Sequence, residues 1–154
     1  MSLKAEFINP FLEGTITVLK TMAGVEPVPG KPFIKKDTAA TGDISGVVGM
    51  TGEVEGTVCI TFSRECILPV ISQMLKEEQK EINEDVKDAV GELTNMISGD
   101  SRRRLAEMGH HFLGAIPSVI SGQGHEVKHI TNGPILVIPF TTTGGVFVVE
   151  VCFR

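Results

Sequence analysis

The chain has 154 residues, of which 42% are hydrophobic and 21% charged, and carries a net charge of −5. This suits one folded domain over 1–154 with a single core and excludes a disordered chain. With no Trp, no Tyr and one basic cluster at Arg102, Arg103 and Arg104, it lacks the basic stripe of a nucleic-acid binder, and only its eight Phe could serve as stacking platforms.

Cys59, Cys66 and Cys152 are odd in number and form no CxxC pair, which argues against a disulfide framework and a cysteine zinc site. The first ten residues lack the pattern of a signal peptide, and no run of 18 apolar residues occurs. The expected location is the cytoplasm, with no membrane insertion.

Residues from about 4 to 23 have a helical period, with Phe7, Phe11, Val18 and Met22 on one face. Either the helix begins at Pro10 with Asn9 as its N-cap, or it starts earlier and kinks at the proline. Gly24 is a stop signal. Residues 25–42 form an extended connection with a short strand near Phe33 and Ile34. Ile44 to Met50 and Val54 to Phe62 read as a hairpin turning at Thr51-Gly52-Glu53. Ser63 caps a short helix to about Leu75, and Lys76 to Glu81 is a charged loop.

Asn83 caps a long helix, about 84 to 108, with Glu84 and Asp85 in its positive first turn and Gly109 at its end. Phe112 to Ile116, Glu126 to Ile130, Pro134 to Phe140 and Val146 to Phe153 read as strands. The last two are joined through residues 141–145. The expected architecture is α+β: two layers, a largely antiparallel sheet with the long helices packed on one face.

The long helix carries the candidate chemistry. Asp88, Glu92 and Asn95 fall within roughly 60° of one another at ~100° per residue. Gly91 and Gly99 lie on the same side, while Val86, Ala89, Val90, Leu93, Ile97, Leu105 and Met108 fall largely on the other. A solvated helix face usually carries long side chains. Short polar groups beside glycines instead let a partner's backbone approach closely.

Asp88-x-x-x-Glu92-x-x-Asn95, followed 22 positions later by Pro117 in Ile116-Pro117-Ser118-Val119-Ile120-Ser121-Gly122, resembles the signature of the CheC/CheX/FliY phosphatases. These act on the phosphorylated chemotaxis response regulator CheY. The CheX type is the most similar, since the chain has single-domain length and one strong copy of the motif. The segments Gly49 to Gly56 and Gly91 to Met96 also look like parts of this family, and the resemblance covers most of residues 7–140.

The resemblance implies a CheC-like fold and a set of roles. Glu92 would pair with a lysine beside the regulator's phosphoaspartate. Asn95 would orient the attacking water, with Asp88 in support, and Pro117 would shape the strand end beneath the site. An acyl phosphate is already reactive, so what remains is to hold a water in line with the P–O bond. An Asn amide can donate and accept but cannot take up a proton at neutral pH, which makes this positioning rather than base catalysis. Magnesium would belong to the regulator, because no carboxylate trio here suggests a metal cage, and the chain is expected to carry no cofactor of its own.

Other signals are weaker. Glu6-x-x-Asn9 resembles a half-motif, but Asn9 precedes Pro10, which biases it away from helical geometry. His125 and His129 would lie about 13 Å apart on one strand face, too far for one metal. His110 and His111 suit the negative end of the long helix. The three arginines form a solvated face or a rim attracting an acidic partner. The long apolar C-terminal hairpin makes a homodimer built through sheet edges the expected assembly. Beside the enzyme stands a non-catalytic module, an adaptor or flagellar-switch component that docks a regulator without hydrolysing its phosphate. A third reading is a structural dimer unit with a fortuitous stripe.

Overall fold

The computed structural model describes residues 5–35, 40–127 and 134–153. A 3-10 turn, Ala5–Phe7, leads into helix α1, Ile8–Ala23. Two short strands follow, β1 (Val28–Pro29) and β2 (Phe33–Lys35), then the hairpin β3 (Ala40–Gly52) and β4 (Gly56–Phe62). Helices α2 (Arg64–Leu75) and α3 (Glu84–Glu107) come next. The chain ends in strands β5 (Phe112–Gly114), β6 (Ser118–Val127), β7 (Ile135–Thr141) and β8 (Val146–Phe153). This is the expected α+β arrangement. Every described strand pair is antiparallel.

Local chemistry explains most of the boundaries. Asn83 caps α3 by accepting from the Val86 backbone N–H at 2.9 Å. Ser63 does the same for α2 toward Cys66 at 3.2 Å. Each satisfies one of the free N–H groups of a helix's first turn. The N-terminal helix starts at Ile8, so Asn9 lies inside its first turn and does not cap it. Pro10 is tolerated there because a first-turn residue has no carbonyl to bond to.

The sheet runs β1-β7-β8-β4-β3-β5, with β2 also on β7 and β6 also on β3. The C-terminal hairpin is therefore internal. Strand β8 lies between β7 and β4, and β7 is flanked by β1 and β2. The argument for a dimer through that hairpin fails, since its backbone groups are paired within the chain and most of its apolar side chains are buried there.

Alternation along the strands gives the sheet two faces. One carries Ile60, Phe62, Val149, Val151 and Phe153 and packs against Phe11, Leu19, Ile67, Ile71, Val90, Leu93 and Ile97 of the helices. The other carries Cys59, Ile135, Val137, Cys152 and the buried Glu150, whose carboxylate meets Lys35 Nζ at 2.6 Å. Burial pushes the Cys59 thiol up to about 11, which leaves it protonated and unreactive at neutral pH.

Small residues fix the height of the helices. Gly14 on α1 faces Ser101 on α3, and a Cβ there would come within 2.6 Å of the Ser101 Oγ. On β3, a Cβ at Gly46 would collide with the Thr94 side chain of α3. The long helix is thereby set directly on the sheet over β3.

Several boundaries differ from the sequence reading, among them the strand expected over Phe112 to Ile116, which ends at Gly114. The β3–β4 turn is at 53–55, because β3 continues to Gly52. Met108 ends α3 and is 43% exposed, so it does not join the buried face. Strand β6 begins at Ser118, well before Glu126. It is an outer strand with most of its described side chains exposed, so it lacks the apolar alternation that marks a half-buried strand. Residues 128–130, expected to continue a strand, lie outside the described residues, as does His129. Among the described residues no helix is long and apolar enough to cross a membrane.

Candidate functional site

Asp88, Glu92 and Asn95 are all exposed on the outer face of α3. Their neighbours Ala89, Val90, Leu93, Thr94 and Ile97 are buried beneath them. The division follows from the helical period: Thr94 points down onto Gly46 and bonds its own helix at Val90 O, 2.7 Å away, while Asn95 points out. Among the described residues none of Asp88, Glu92 and Asn95 has a hydrogen bond or ion pair. They are three polar groups with their bonding capacity unused, on a helix whose other face is rigidly packed.

Gly91 and Gly99 differ. A Cβ on Gly91 would meet Val119 Cγ2 of β6 at 3.3 Å, so this glycine contacts the chain's own strand. At Gly99 the nearest atom is Arg102 Nη2 at 3.7 Å, and the site is open to a partner. The two glycines therefore differ in surroundings: Gly91 faces Val119, and Gly99 has open space beside it.

Pro117 sits in an irregular stretch between β5 and β6. Gly114 pairs with Met50 and Ser118 with Val47. Ala115, Ile116 and Pro117 thus oppose only Val48 and Gly49, which is one extra residue and hence a β-bulge. A proline suits such a place, since a bulge on an outer strand needs no donor from it. Ala115 keeps one bond, donating to Gly49 O at 2.9 Å.

This bulged segment runs alongside the polar stripe. Val119 lies at Gly91, and Gly114 lies beneath the guanidinium of Arg102, where a Cβ would come within 2.7 Å of Cζ. The partner residues of 114 to 119 are Met50 to Gly46, four strand steps or ~13 Å, and the helix from 91 to 102 spans ~17 Å. The two are antiparallel neighbours over that length. Ile116 and Pro117 lie in the segment between these two contacts. Ile116 is 91% exposed. Sequence reading singled out Pro117 but not Ile116, because an exposed apolar residue has no pattern until its neighbours are known.

The other candidates resolve plainly. Arg103 pairs with Asp100 and Glu107, and Arg104 pairs with Asp100 at 2.6 Å and with Glu13 at 2.9 Å. Arg102 has only a 3.4 Å bond to Ser98 Oγ and no carboxylate partner among the described residues. Glu6 accepts from or pairs with His110 Nε2 at 3.1 Å, and Asn9 is exposed one turn away in a helical conformation after all. His125 is held to Ser45 Oγ at 2.6 Å and to Gly122 O at 2.9 Å. Among the described residues no three His, Cys, Asp or Glu side chains converge as a metal site would require.

Residues 44–141 match the family Chemotaxis phosphatase CheX. The CheY-P phosphatase CheX of Thermotoga maritima is 30% identical over 138 residues, covering 89% of this chain and 88% of the relative. A chemotaxis protein CheX from Desulfovibrio desulfuricans superposes with a TM-score of 0.92 at 49% identity, covering 97% of this chain and 99% of that one. The CheX of the CheX-CheY-BeF3-Mg2+ complex from Borrelia burgdorferi superposes with a TM-score of 0.77 at 27% identity, covering 98% and 99%. The matched span holds the motif helix, the bulge with Pro117 and the strand beneath them, and this chain belongs to the chemotaxis phosphatase CheX family.

Proposed function

We propose that this chain dephosphorylates the phosphoaspartate of a CheY-type response regulator, with Asn95 orienting the attacking water and Glu92 docking a lysine of the regulator. The observation that carries the reading is the exposed trio of Asp88, Glu92 and Asn95, whose side chains have no partner among the described residues, on a helix fixed to the sheet. Family membership supports it, as does a relative from Borrelia burgdorferi bound to CheY with BeF3 and Mg2+.

The chemistry asks little of the protein. The water oxygen bonds to phosphorus as the bond from phosphorus to the aspartyl oxygen breaks. The aspartate leaves as a carboxylate, which is stable without a proton, and the water's protons pass to the released phosphate and to solvent. Asn95 accepts from the water and holds it in line; such positioning contributes roughly two to four orders of magnitude in rate. Glu92 sets the register by attracting a cation. Asp88 supports the same face. Magnesium is placed on the regulator. A homodimer belongs to the same reading, paired through outer strands of the sheet rather than the internal C-terminal hairpin, and light scattering at micromolar concentration tests it.

The decisive experiment is phosphate release from a phosphorylated CheY-type receiver. Wild type accelerates it, and Asn95→Ala loses most of the acceleration with its melting temperature unchanged, since an exposed truncation leaves no cavity. Binding with no acceleration by wild type would instead make the protein an adaptor.

A further inference from the structure

We infer that Ile116 and Arg102 form a docking rim beside the site, and that the receiver meets it with an apolar depression next to a carboxylate. The inference rests on the function proposed above and adds the residues that select the partner. Three observations carry it.

The first is exposure. Ile116 is 91% exposed, the highest value among the large hydrophobic residues described. An apolar side chain that gains nothing from the fold and stands at a bulge is one a partner can cover.

The second is position. Ile116 stands in the bulge between Gly114, which lies under Arg102, and Val119, which lies at Gly91, so it is on the segment that flanks the stripe. Gly99 leaves the helix surface low on the same stripe, so a partner contacting Asn95 can also reach Arg102 and the bulge beside it.

The third is charge. Of the three consecutive arginines, Arg103 and Arg104 are spent on carboxylates of this chain. Arg102 is not, and it points the other way, lying over Gly114 on the same stripe as Asn95 two turns on. The missing Cβ at Gly114 is what makes room for its guanidinium. A planar cation held flat against backbone loses little freedom on meeting a carboxylate.

The test is a titration of a CheY-type receiver loaded with Mg2+ and beryllofluoride, together with phosphate release measured over a range of phosphorylated-receiver concentrations. The double variant Ile116→Ser/Arg102→Gln should need about tenfold more receiver for half-saturation. Its maximal rate and melting temperature should match wild type. Arg102→Lys should restore part of the charge effect, and Arg102→Gln should flatten the dependence of affinity on salt. Wild-type half-saturation in the double variant overturns the inference. So does a fall in maximal rate together with melting temperature, which marks a structural role. Failure of the proposed function is read separately, from a wild-type protein that neither binds the receiver nor speeds its dephosphorylation.

Discussion

Thr94 of α3 fills the space that a side chain on Gly46 of β3 would need. That contact is the floor of the candidate site, because Asn95 is the next residue and points the opposite way. The Thr94 hydroxyl is occupied in bonding Val90 O at 2.7 Å, so it cannot simply rotate aside. Gly46→Ala should therefore lift or tilt α3 and destabilise the fold by about 1–3 kcal/mol, as overpacking does. Urea denaturation measures this, and phosphatase activity should fall with it. A variant as stable as wild type would show that the helix is not seated on this strand.

Glu92→Ala should behave differently from Asn95→Ala. Glu92 is exposed and bonds nothing among the described residues, so its loss does not disturb the fold. If it draws a regulator lysine, the variant needs more receiver for half-saturation while approaching the wild-type maximal rate, and the difference shrinks at high salt. Unchanged affinity in the same titration removes that role from Glu92.

The glycines of the stripe should separate from each other. Gly99 has open space beside it, so Gly99→Ala should raise stability by about 0.5–1 kcal/mol through helix propensity alone. Gly91→Ala should gain less, because Val119 Cγ2 stands 3.3 Å from the new methyl and must move. Gly99→Gln then keeps its melting temperature but loses activity on the phosphorylated regulator, since the longer side chain blocks approach. Full activity in Gly99→Gln would mean that the partner does not come close to this turn.

Much of this was legible in the residues. Helical periodicity and the caps at Ser63 and Asn83 are local effects, and the structure bears them out. The polar stripe on α3 follows from 3.6-residue periodicity and needs no tertiary knowledge. What was not legible is non-local. The place of the C-terminal hairpin inside the sheet depends on pairing with β4, nearly ninety residues earlier, and its apolar pattern suits an internal strand as well as an edge. The sequence pattern does not mark the start of β6, because this outer strand lacks the apolar alternation of a half-buried one. The bulge at Ala115 to Pro117 exists only by comparison with β3, so Ile116 had no signal of its own.

The face of the sheet away from the helices makes the last prediction. Glu150 is 1% exposed on the internal strand β8, and Lys35 Nζ approaches it to 2.6 Å from β2, with the Lys35 side chain 19% exposed. Their attraction offsets the desolvation of both charges. Lys35→Met removes the cation that meets the buried Glu150 carboxylate at 2.6 Å and should lower the stability of the protein. The double variant Lys35→Met/Glu150→Met removes both charges and should recover most of that loss. Neither change touches α3, so any fall in phosphatase activity should track the folded fraction alone. Urea denaturation of the single and double variants decides the matter: equal midpoints for wild type and Lys35→Met would show that the pair does not hold β2 to the sheet.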